Sequence, residues 1–245
     1  NSEQELISAL KPEWNHLTGG ALREKIDASG YSLNITEIFP SIENCSEQIA
    51  REEFALSHLI QPDLFLRPRP GRENFVKDNL LQHAIAYKEV DHAIVLPNSS
   101  RLDEVIALNK DAVVQDLNSQ RTGDFIRQAL TELRNNNNEI KVWDCCAASG
   151  GKSIMAFDID PSILLTVSDI RENVLANLLK RLVEAGLSKF SQSVMDLTDK
   201  RTVDKQFAQQ KFDLIIADVP CTGSGTWGRT PENLQFFKTE RIEQY

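Results

Sequence analysis

The chain has 245 residues, of which 41% are hydrophobic and 26% are charged, and its formal net charge at pH 7 is −9. These proportions exclude a largely disordered chain, and without a run of about 18 apolar residues the sequence predicts no membrane span. Four cysteines without a C-x-x-C pair indicate neither a disulfide framework nor a structural zinc site. Residues 1–10 lack the apolar core of a signal peptide, so we expect a cytoplasmic protein without a bound metal.

The net negative charge is concentrated in residues 1–60, whose net charge is −6. A short basic run follows, and its members are Arg67, Arg69, Arg72 and Lys77. Only Glu73 opposes this run nearby in the sequence. The run is typical of a surface that contacts nucleic-acid phosphates, but equally of a solvated face.

Hydrophobic periodicity predicts helices in the N-terminal segment at residues 21–28 and 46–59, the second with Ser46 as its N-cap. The next block predicts a strand, a helix and two short strands, at residues 63–68, 72–86, 92–96 and 113–114. This order is typical of a small α+β module. We therefore expect a helical segment at residues 1–60 and a module at residues 61–115.

Residues 116–245 begin with a predicted amphipathic helix at 117–134, after which strands alternate with helices. Such alternation predicts an α/β domain with a doubly wound parallel sheet. Three of its strands end on an acid: Asp144, Asp169 and Asp218. Because ligands of these sheets bind at the carboxyl ends of the strands, the three acids should ring one crevice.

Small residues follow Asp144, and the segment reads Cys145, Cys146, Ala147, Ala148, Ser149, Gly150, Gly151, Lys152 and Ser153. Small residues here let the backbone approach a ligand, although an ordinary strand-to-helix turn has the same pattern. Asp169, 25 residues after Asp144, stands where an acid accepts hydrogen bonds from ribose hydroxyls. Alternatively, it caps the helix that starts near Arg171.

A second glycine-rich loop occupies residues 218–232 and contains Cys221 directly after Pro220. Its glycines, like those of the first loop, indicate close approach of the backbone to a ligand. A flexible polar loop is a poor place for a core residue. A reactive thiol is therefore the preferred interpretation of Cys221, and a small buried hydrophobe is the alternative.

The stretch 144–232 closely resembles the Sun (Fmu), or RsmB-like, family of RNA (cytosine-5) methyltransferases. The family's first motif, Asp-x-Cys-Ala-Ala-Pro-Gly-Gly-Lys-Thr, is matched by Asp144, Cys146, Ala147, Ala148, Gly150, Gly151, Lys152 and Ser153, with Ser149 in place of proline. Its fourth motif, Asp-Ala-Pro-Cys-Ser/Thr-Gly with a later Gly and Arg-x-Pro, is matched by Asp218, Pro220, Cys221, Thr222, Gly223, Gly225, Arg229 and Pro231. Weaker similarity extends through residues 61–143, at Leu66-Arg67 and Gln115-Asp116.

This resemblance implies a Rossmann-like methyltransferase fold, preceded by an RNA-binding-like module and N-terminal helices. It implies that S-adenosylmethionine binds on residues 146–152, with Asp169 at the ribose, Asp196 near the adenine and Asp218 in the same site. It also implies an RNA partner, ribosomal or transfer RNA, and we expect a monomer. The expected RNA-binding residues are Arg67, Arg69, Arg72, Lys77 and Arg229.

In that family, a cysteine adds to C6 of cytosine before methyl transfer to C5. The attacking cysteine lies in a later Thr-Cys-Ser motif, while the fourth-motif cysteine, here Cys221, assists product release beside the catalytic Asp218. In DNA cytosine-5 methyltransferases, a Pro-Cys at this place is itself the nucleophile, and the residues around Cys221 fit both roles. The sequence ends at Tyr245, after the fourth strand and before the later motif. We therefore expect a fragment that is inactive alone.

Two other functions fit part of the sequence. Residues 146–153 differ by one glycine from a P-loop, and the apolar strand ending at Asp218 resembles the magnesium-binding strand of nucleotide hydrolases. The missing glycine and the Pro-Cys after Asp218 oppose that interpretation. A non-catalytic RNA-binding module with a methyltransferase fold is the other alternative.

Overall fold

The computed structural model describes residues 19–30, 34–58, 60–208 and 210–240. The chain forms two compact units, one of residues 1–62 and 220–245 and the other of residues 63–219. The predicted three-domain division places a further boundary at residues 115–116, inside the second unit, and it stays a prediction.

Helices α1, α2 and α3 of the first unit span Gly19–Ala28, Ile35–Ile38 and Arg51–Ser57. The predicted helix at residues 21–28 is confirmed, whereas α3 begins later than expected. The expectation that Ser46 caps this helix is wrong, because Ala50 occupies the N-cap position. The hydroxyl of Ser46 instead accepts the backbone N–H of Gln48 in a preceding turn.

The second unit begins with an antiparallel sheet and one helix. These elements are β1 (Leu64–Pro68), α4 (Glu73–Gln82), β2 (Lys88–Val90), β3 (Ala93–Leu96) and β4 (Ala112–Val114), with strand order β2-β3-β1-β4. Leu66, Val76 and Ile94 form part of its buried core. Strand β2 was not predicted, because all three of its residues are exposed and it has no buried apolar face. Asp91, with φ 54°, turns the chain between β2 and β3.

A long helix and a parallel sheet complete this unit. The elements are α5 (Leu117–Arg134), β5 (Lys141–Asp144), α6 (Gly151–Ile159), β6 (Leu164–Asp169), α7 (Glu172–Glu184), β7 (Phe190–Val194), α8 (Lys200–Phe207) and β8 (Leu214–Ile216). The parallel strand order is β7-β6-β5-β8, so the order reverses at β5. The predicted parallel sheet is confirmed, and a ligand crevice is expected at the carboxyl end of β5.

Buried apolar side chains hold the helices on this sheet. Helix α7 contributes Leu175, Leu178 and Leu182, which recur at helical spacing along its buried face. Strand β6 is buried from Leu165 to Asp169, as expected for a central parallel strand with helices on its faces. The sheet therefore presents its strand ends from a rigid core.

The glycine-rich second loop contains a 3₁₀ turn at Ser224–Thr226 and is followed by α9 (Glu232–Phe236). Trp227 is buried in the first unit, where its ring packs edge-on against Phe39 at 6.1 Å and beside Phe237 at 4.9 Å. This aromatic contact fixes the loop to the N-terminal helices of its own unit.

Across the ranges that the structure describes, every helix is too short or too polar to span a lipid bilayer.

Candidate functional site

Four carboxylates lie at the carboxyl ends of the parallel strands. Asp144 is the last residue of β5 and Asp169 the last of β6, while Asp196 and Asp218 follow the ends of β7 and β8 by two residues. Since parallel strands point the same way, all four acids stand at one edge of the sheet. The charges of Asp218 and Asp169 both act on Asp144, so these three form one electrostatic cluster.

The turn after β5 is fixed by backbone hydrogen bonds. The N–H of Cys145 donates to the carbonyl of Ile216 at 3.0 Å, and that of Ala147 donates to Ser168 at 2.9 Å. Ala148 has a φ of 45°, an uncommon conformation for a residue with a side chain. The turn is therefore held between the ends of β6 and β8 before α6 begins.

Contacts within the protein explain why positions 150 and 151 are glycine. A Cβ at Gly150, whose φ is 82°, would lie 2.1 Å from Cδ1 of Leu178. A Cβ at Gly151 would lie 3.4 Å from Nε2 of Gln115. Both directions point at the protein's own side chains. This geometry therefore explains both glycines by contacts within the protein. It does not require the close approach to a ligand that the sequence predicts.

Asp169 is 4% exposed and its carboxylate is extensively hydrogen-bonded. It accepts the backbone N–H of Ala148 at 3.0 Å, and both the backbone N–H and the Nε of Arg171, at 3.0 and 2.9 Å. Burial raises the pKa of Asp169, but these bonds outweigh it and hold the pKa below its ordinary value. The helix-cap alternative fails, because Arg171 is the N-cap residue of α7 and Asp169 lies before it.

Asp144, at the start of the turn after β5, is only 1% exposed. Its Oδ2 accepts the hydroxyl of Ser153 at 2.6 Å, whereas its Oδ1 is buried without a hydrogen-bond partner among the described residues. Burial raises the pKa of Asp144 to about 6, although the Ser153 hydrogen bond and the charge of Lys152 oppose the shift. At neutral pH the cluster thus contains a buried carboxylate with one unsatisfied oxygen.

Lys152 is the cation of the first motif and forms an ion pair with Asp218, the acid of the fourth motif. Its Nζ lies 2.6 Å from Oδ2 of Asp218 and 3.3 Å from Oγ of Ser119. The Lys152 side chain is 18% exposed and that of Asp218 is 56% exposed. The pair therefore stands at the mouth of the acidic cluster, with its carboxylate accessible to a ligand.

Asp196 and the vicinal cysteines complete this edge. Oδ1 of Asp196 accepts the backbone N–H and the hydroxyl of Thr198, at 2.9 and 2.7 Å. Burial raises the pKa of the Cys145 thiol to about 12, and burial likewise raises the pKa of Cys146. Both thiols therefore stay protonated at neutral pH and are poor nucleophiles.

Cys221 belongs to the other unit, where its side chain is exposed. The backbone N–H of Gly223 approaches its sulfur at 3.4 Å. The alternative of a small buried hydrophobe is wrong for this residue, because the thiol faces solvent. Its assignment as a reactive cysteine stays a prediction.

Two of the predicted RNA-binding arginines lie in a buried ion pair. Nη1 of Arg67 and Nη2 of Arg69 lie 2.5 and 2.6 Å from the two carboxylate oxygens of Asp158, and their side chains are only 13% and 11% exposed. Desolvation lowers the pKa of Arg67, while the charge of Asp158 opposes that effect. Phosphate contact by Arg67 and Arg69 does not fit this geometry. The alternative interpretation, a solvated face, does not fit these two buried residues either.

The remaining basic residues are more accessible. Arg72 pairs with Asp111 and lies over the ring of Phe75 at 4.5 Å. Lys77 pairs with Glu89 at 2.7 Å. Their partners come from elsewhere in the module, so the basic run has more acidic neighbours than its sequence suggests. RNA contact by Arg72, Lys77 and Arg229 stays a prediction.

The sequence alone indicates no site role for Gln115, Ser119 or Arg171. Gln115 belongs to the weak family similarity at Gln115-Asp116, and Ser119 lies four residues beyond it, in the first turn of α5. In the sequence, Arg171 indicates only the start of a helix. Its bonds to Asp169 follow from the turn between β6 and α7, which sequence alone does not define.

Comparison with known proteins gives consistent matches. Residues 130–244 match the profile of the family described as 16S rRNA methyltransferase RsmB/F. Ribosomal RNA small subunit methyltransferase B of Yersinia pseudotuberculosis (serotype O:1b, strain IP 31758) is 30% identical over 109 residues, which are 44% of this chain. The matched stretch is 24% of that protein, so the chain spans about a quarter of its length.

Solved structures share the fold. The protein PH0851 aligns over 91% of this chain and 52% of its own, with a TM-score of 0.68 and 17% identity. NSun6 from Pyrococcus horikoshii, solved with SFG, aligns over 85% of this chain and 75% of its own, with a TM-score of 0.59 and 12% identity. The parallel sheet and its helices form the Rossmann-like fold of S-adenosylmethionine-dependent methyltransferases. The match over residues 130–244, together with the shared fold, relates this chain to the RsmB/F family of methyltransferases.

Proposed function

We propose that this chain binds S-adenosylmethionine at the carboxyl edge of its parallel sheet and acts in methyl transfer to C5 of a cytosine in RNA. The observation that carries the proposal is the acidic cluster, in which Asp144 keeps a buried, unsatisfied oxygen beside the hydrogen-bonded carboxylate of Asp169. The family match over residues 130–244 supports methylation of RNA, and the names of the relatives favour ribosomal RNA over transfer RNA.

The charges at this edge fit a cationic ligand. Lys152 and Arg171 are the cations hydrogen-bonded to the cluster within the described ranges, and four carboxylates stand at the same edge of the sheet. S-Adenosylmethionine carries a sulfonium and an ammonium group, which acidic oxygens stabilise, whereas a triphosphate would be repelled. Lys152 is already paired with Asp218, so it is poorly placed to serve as a P-loop lysine. The hydrolase alternative is therefore disfavoured.

Individual residues have distinct roles in this proposal. The backbone of residues 146–152 borders the ligand, Asp169 accepts the ribose hydroxyls and Asp196 lies near the adenine. The ribose can reach Asp169 only when the guanidinium of Arg171, which is 57% exposed, moves aside. When bound, S-adenosylmethionine supplies the electrophilic methyl group.

Calorimetry with S-adenosylhomocysteine tests the cofactor site. The unmodified chain should bind it and should not bind ATP with Mg²⁺. Asp169→Ala should weaken binding by about tenfold or more, because hydrogen bonds to a charged group contribute about 1.5–3 kcal/mol. Asp124→Ala, which removes an exposed acid from α5, is the matched control and should leave the affinity unchanged. Binding of ATP without binding of S-adenosylhomocysteine would favour the nucleotide hydrolase, and binding of RNA alone would favour the non-catalytic module.

The covalent mechanism assigns Cys221 to product release. A thiolate adds to C6 of the target cytosine, C5 takes the methyl group, and loss of the C5 proton then expels the thiolate from C6. The base must be unstacked from the RNA for this attack. The wider match through both motifs supports the release role of Cys221, and the local residues equally fit a nucleophile.

Replacement of Cys221 distinguishes these roles in a chain extended through the Thr-Cys-Ser motif. With Cys221→Ala, a release role predicts a stalled protein–RNA adduct, visible as a slow band on a denaturing gel after incubation with RNA and S-adenosylmethionine. A nucleophilic role predicts no adduct and no turnover, which would overturn the assignment. Cys45→Ala is the control and should neither trap an adduct nor reduce turnover.

A further inference from the structure

A continuous hydrogen-bonded chain links the antiparallel module to the mouth of the acidic cluster. Nε of Arg67 donates to Oε1 of Gln115 at 2.8 Å, and Nε2 of Gln115 donates to Oγ of Ser119 at 3.2 Å. The same hydroxyl oxygen accepts from Nζ of Lys152 at 3.3 Å, and Lys152 donates to Asp218 at 2.6 Å. All of these residues lie within the second unit.

Chemistry fixes the direction of every bond in this chain. A guanidinium group only donates, so the oxygen of the Gln115 amide must face Arg67 and its NH₂ group must face Ser119. An ammonium group also only donates, so the Ser119 hydroxyl receives Lys152 as an acceptor. Two lone pairs let the hydroxyl oxygen accept both donors at once.

The Arg67–Gln115 end of this hydrogen-bonded chain is rigid. Asp158, which holds Arg67 and Arg69, is 4% exposed, and Gln115 is 6% exposed. The backbone N–H of Gln115 also bonds to the carbonyl of Phe65 at 3.1 Å, and its side-chain amide packs against Gly151. These contacts therefore hold Gln115 in place independently of its hydrogen bond to Ser119.

The Lys152–Asp218 end of the hydrogen-bonded chain is less constrained. Lys152 has a flexible four-carbon stem, and Asp218 is more than half exposed. An exposed ion pair alone orients its two side chains only weakly. A second acceptor, held by α5, restricts the ammonium group to one position relative to Asp218.

We propose that Ser119 and Gln115 are positioning residues that hold Lys152 against Asp218 at the reacting end of the site. The functional part of this inference rests on the proposed methyltransferase function, whereas its geometric part does not. Neither residue is expected to touch the ligand. Their effect passes through the ammonium group of Lys152.

NMR of the Lys152 side chain tests the geometric part directly. The ¹³Cε and ¹⁵Nζ signals, assigned by their loss in Lys152→Arg, should shift in Ser119→Ala and return towards their original positions in Ser119→Thr, which restores a hydroxyl. Thr131→Ala, which removes an exposed hydroxyl later in α5, is the matched control and should leave these signals unchanged. Lys152 signals that ignore the loss of the Ser119 hydroxyl in a folded variant would overturn the proposal.

Calorimetry with S-adenosylhomocysteine tests the functional part. Ser119→Ala should weaken binding about fivefold, the equivalent of one ordinary hydrogen bond of about 1 kcal/mol, and Ser119→Thr should restore most of it. Unchanged affinity alongside shifted Lys152 signals would overturn the functional part. If the unmodified chain itself fails to bind the probe, the proposed function fails, while the NMR result still decides whether Ser119 positions Lys152.

Discussion

Gly150→Ala is expected to lower the free energy of unfolding by about 3 kcal/mol, because the left-handed backbone costs about 1–2 kcal/mol and overpacking adds about 1–3 kcal/mol. The added methyl group would lie 2.1 Å from Cδ1 of Leu178, a side chain that is itself fully buried. Neither α7 nor the turn can yield easily, since backbone hydrogen bonds hold the turn to the strand ends. Urea unfolding followed by tryptophan fluorescence measures the loss.

Gly186→Ala isolates the steric part of this effect. Gly186 has a φ of 86°, close to the 82° of Gly150, yet no atom lies within 4 Å of the position its Cβ would take. Its replacement should therefore cost only the conformational penalty of about 1–2 kcal/mol. Equal losses in the two variants would show that the Leu178 contact does not determine the need for glycine at position 150.

Asp144→Asn is expected to stabilise the protein above neutral pH. Burial raises the pKa of Asp144 from 3.8 to about 6, so the folded chain binds this proton more tightly than the unfolded chain does. A shift of about two units corresponds to about 3 kcal/mol of destabilisation when the group is ionised. Part of the gain is lost because the new amide NH₂ needs an acceptor, so we expect a net increase on the order of 2 kcal/mol.

The pH dependence has a definite sign. Above about pH 7, the unmodified protein carries the full cost of an ionised Asp144, and the variant's advantage is greatest. The advantage should shrink as the pH falls through about 6 and vanish below about pH 4, where Asp144 is protonated in both states. Urea unfolding over this pH range tests the prediction, with the exposed Asp124→Asn as control. An advantage that is absent at high pH, or that grows on acidification, would contradict it.

Elements with strong periodicity could be predicted from the sequence. Helix α5 begins and ends where the pattern of apolar residues places it, and β6 ends on Asp169 as expected. Strand β2 could not be predicted, because Lys88 and Glu89 give a charged, exposed edge strand without a buried face. The start of α3 was misplaced because Ser46 stabilises a local turn instead of capping the helix.

The candidate site was predictable where motifs define it and not where distant partners do. The two motifs identify Asp144, Lys152 and Asp218, and the end of a predicted strand identifies Asp169. The structure places the three acids at neighbouring strand ends and Lys152 in the first turn of α6. Pairing of Arg67 and Arg69 with Asp158, about 90 positions away, has no sequence signal, so a buried ion pair resembled a phosphate-binding run. The internal reason for Gly150 likewise depends on the packing of Leu178, which only the fold reveals.

The buried pair of Arg69 with Asp158 also bears on synthesis of the chain at the ribosome. Asp158 is translated 89 residues after Arg69, an interval of roughly 4–18 s at about 5–20 residues per second. During this interval the antiparallel module emerges while Arg67 and Arg69 lack the carboxylate that will neutralise them. We therefore expect the nascent module to stay solvated and loosely packed at this face until α6 has left the exit tunnel.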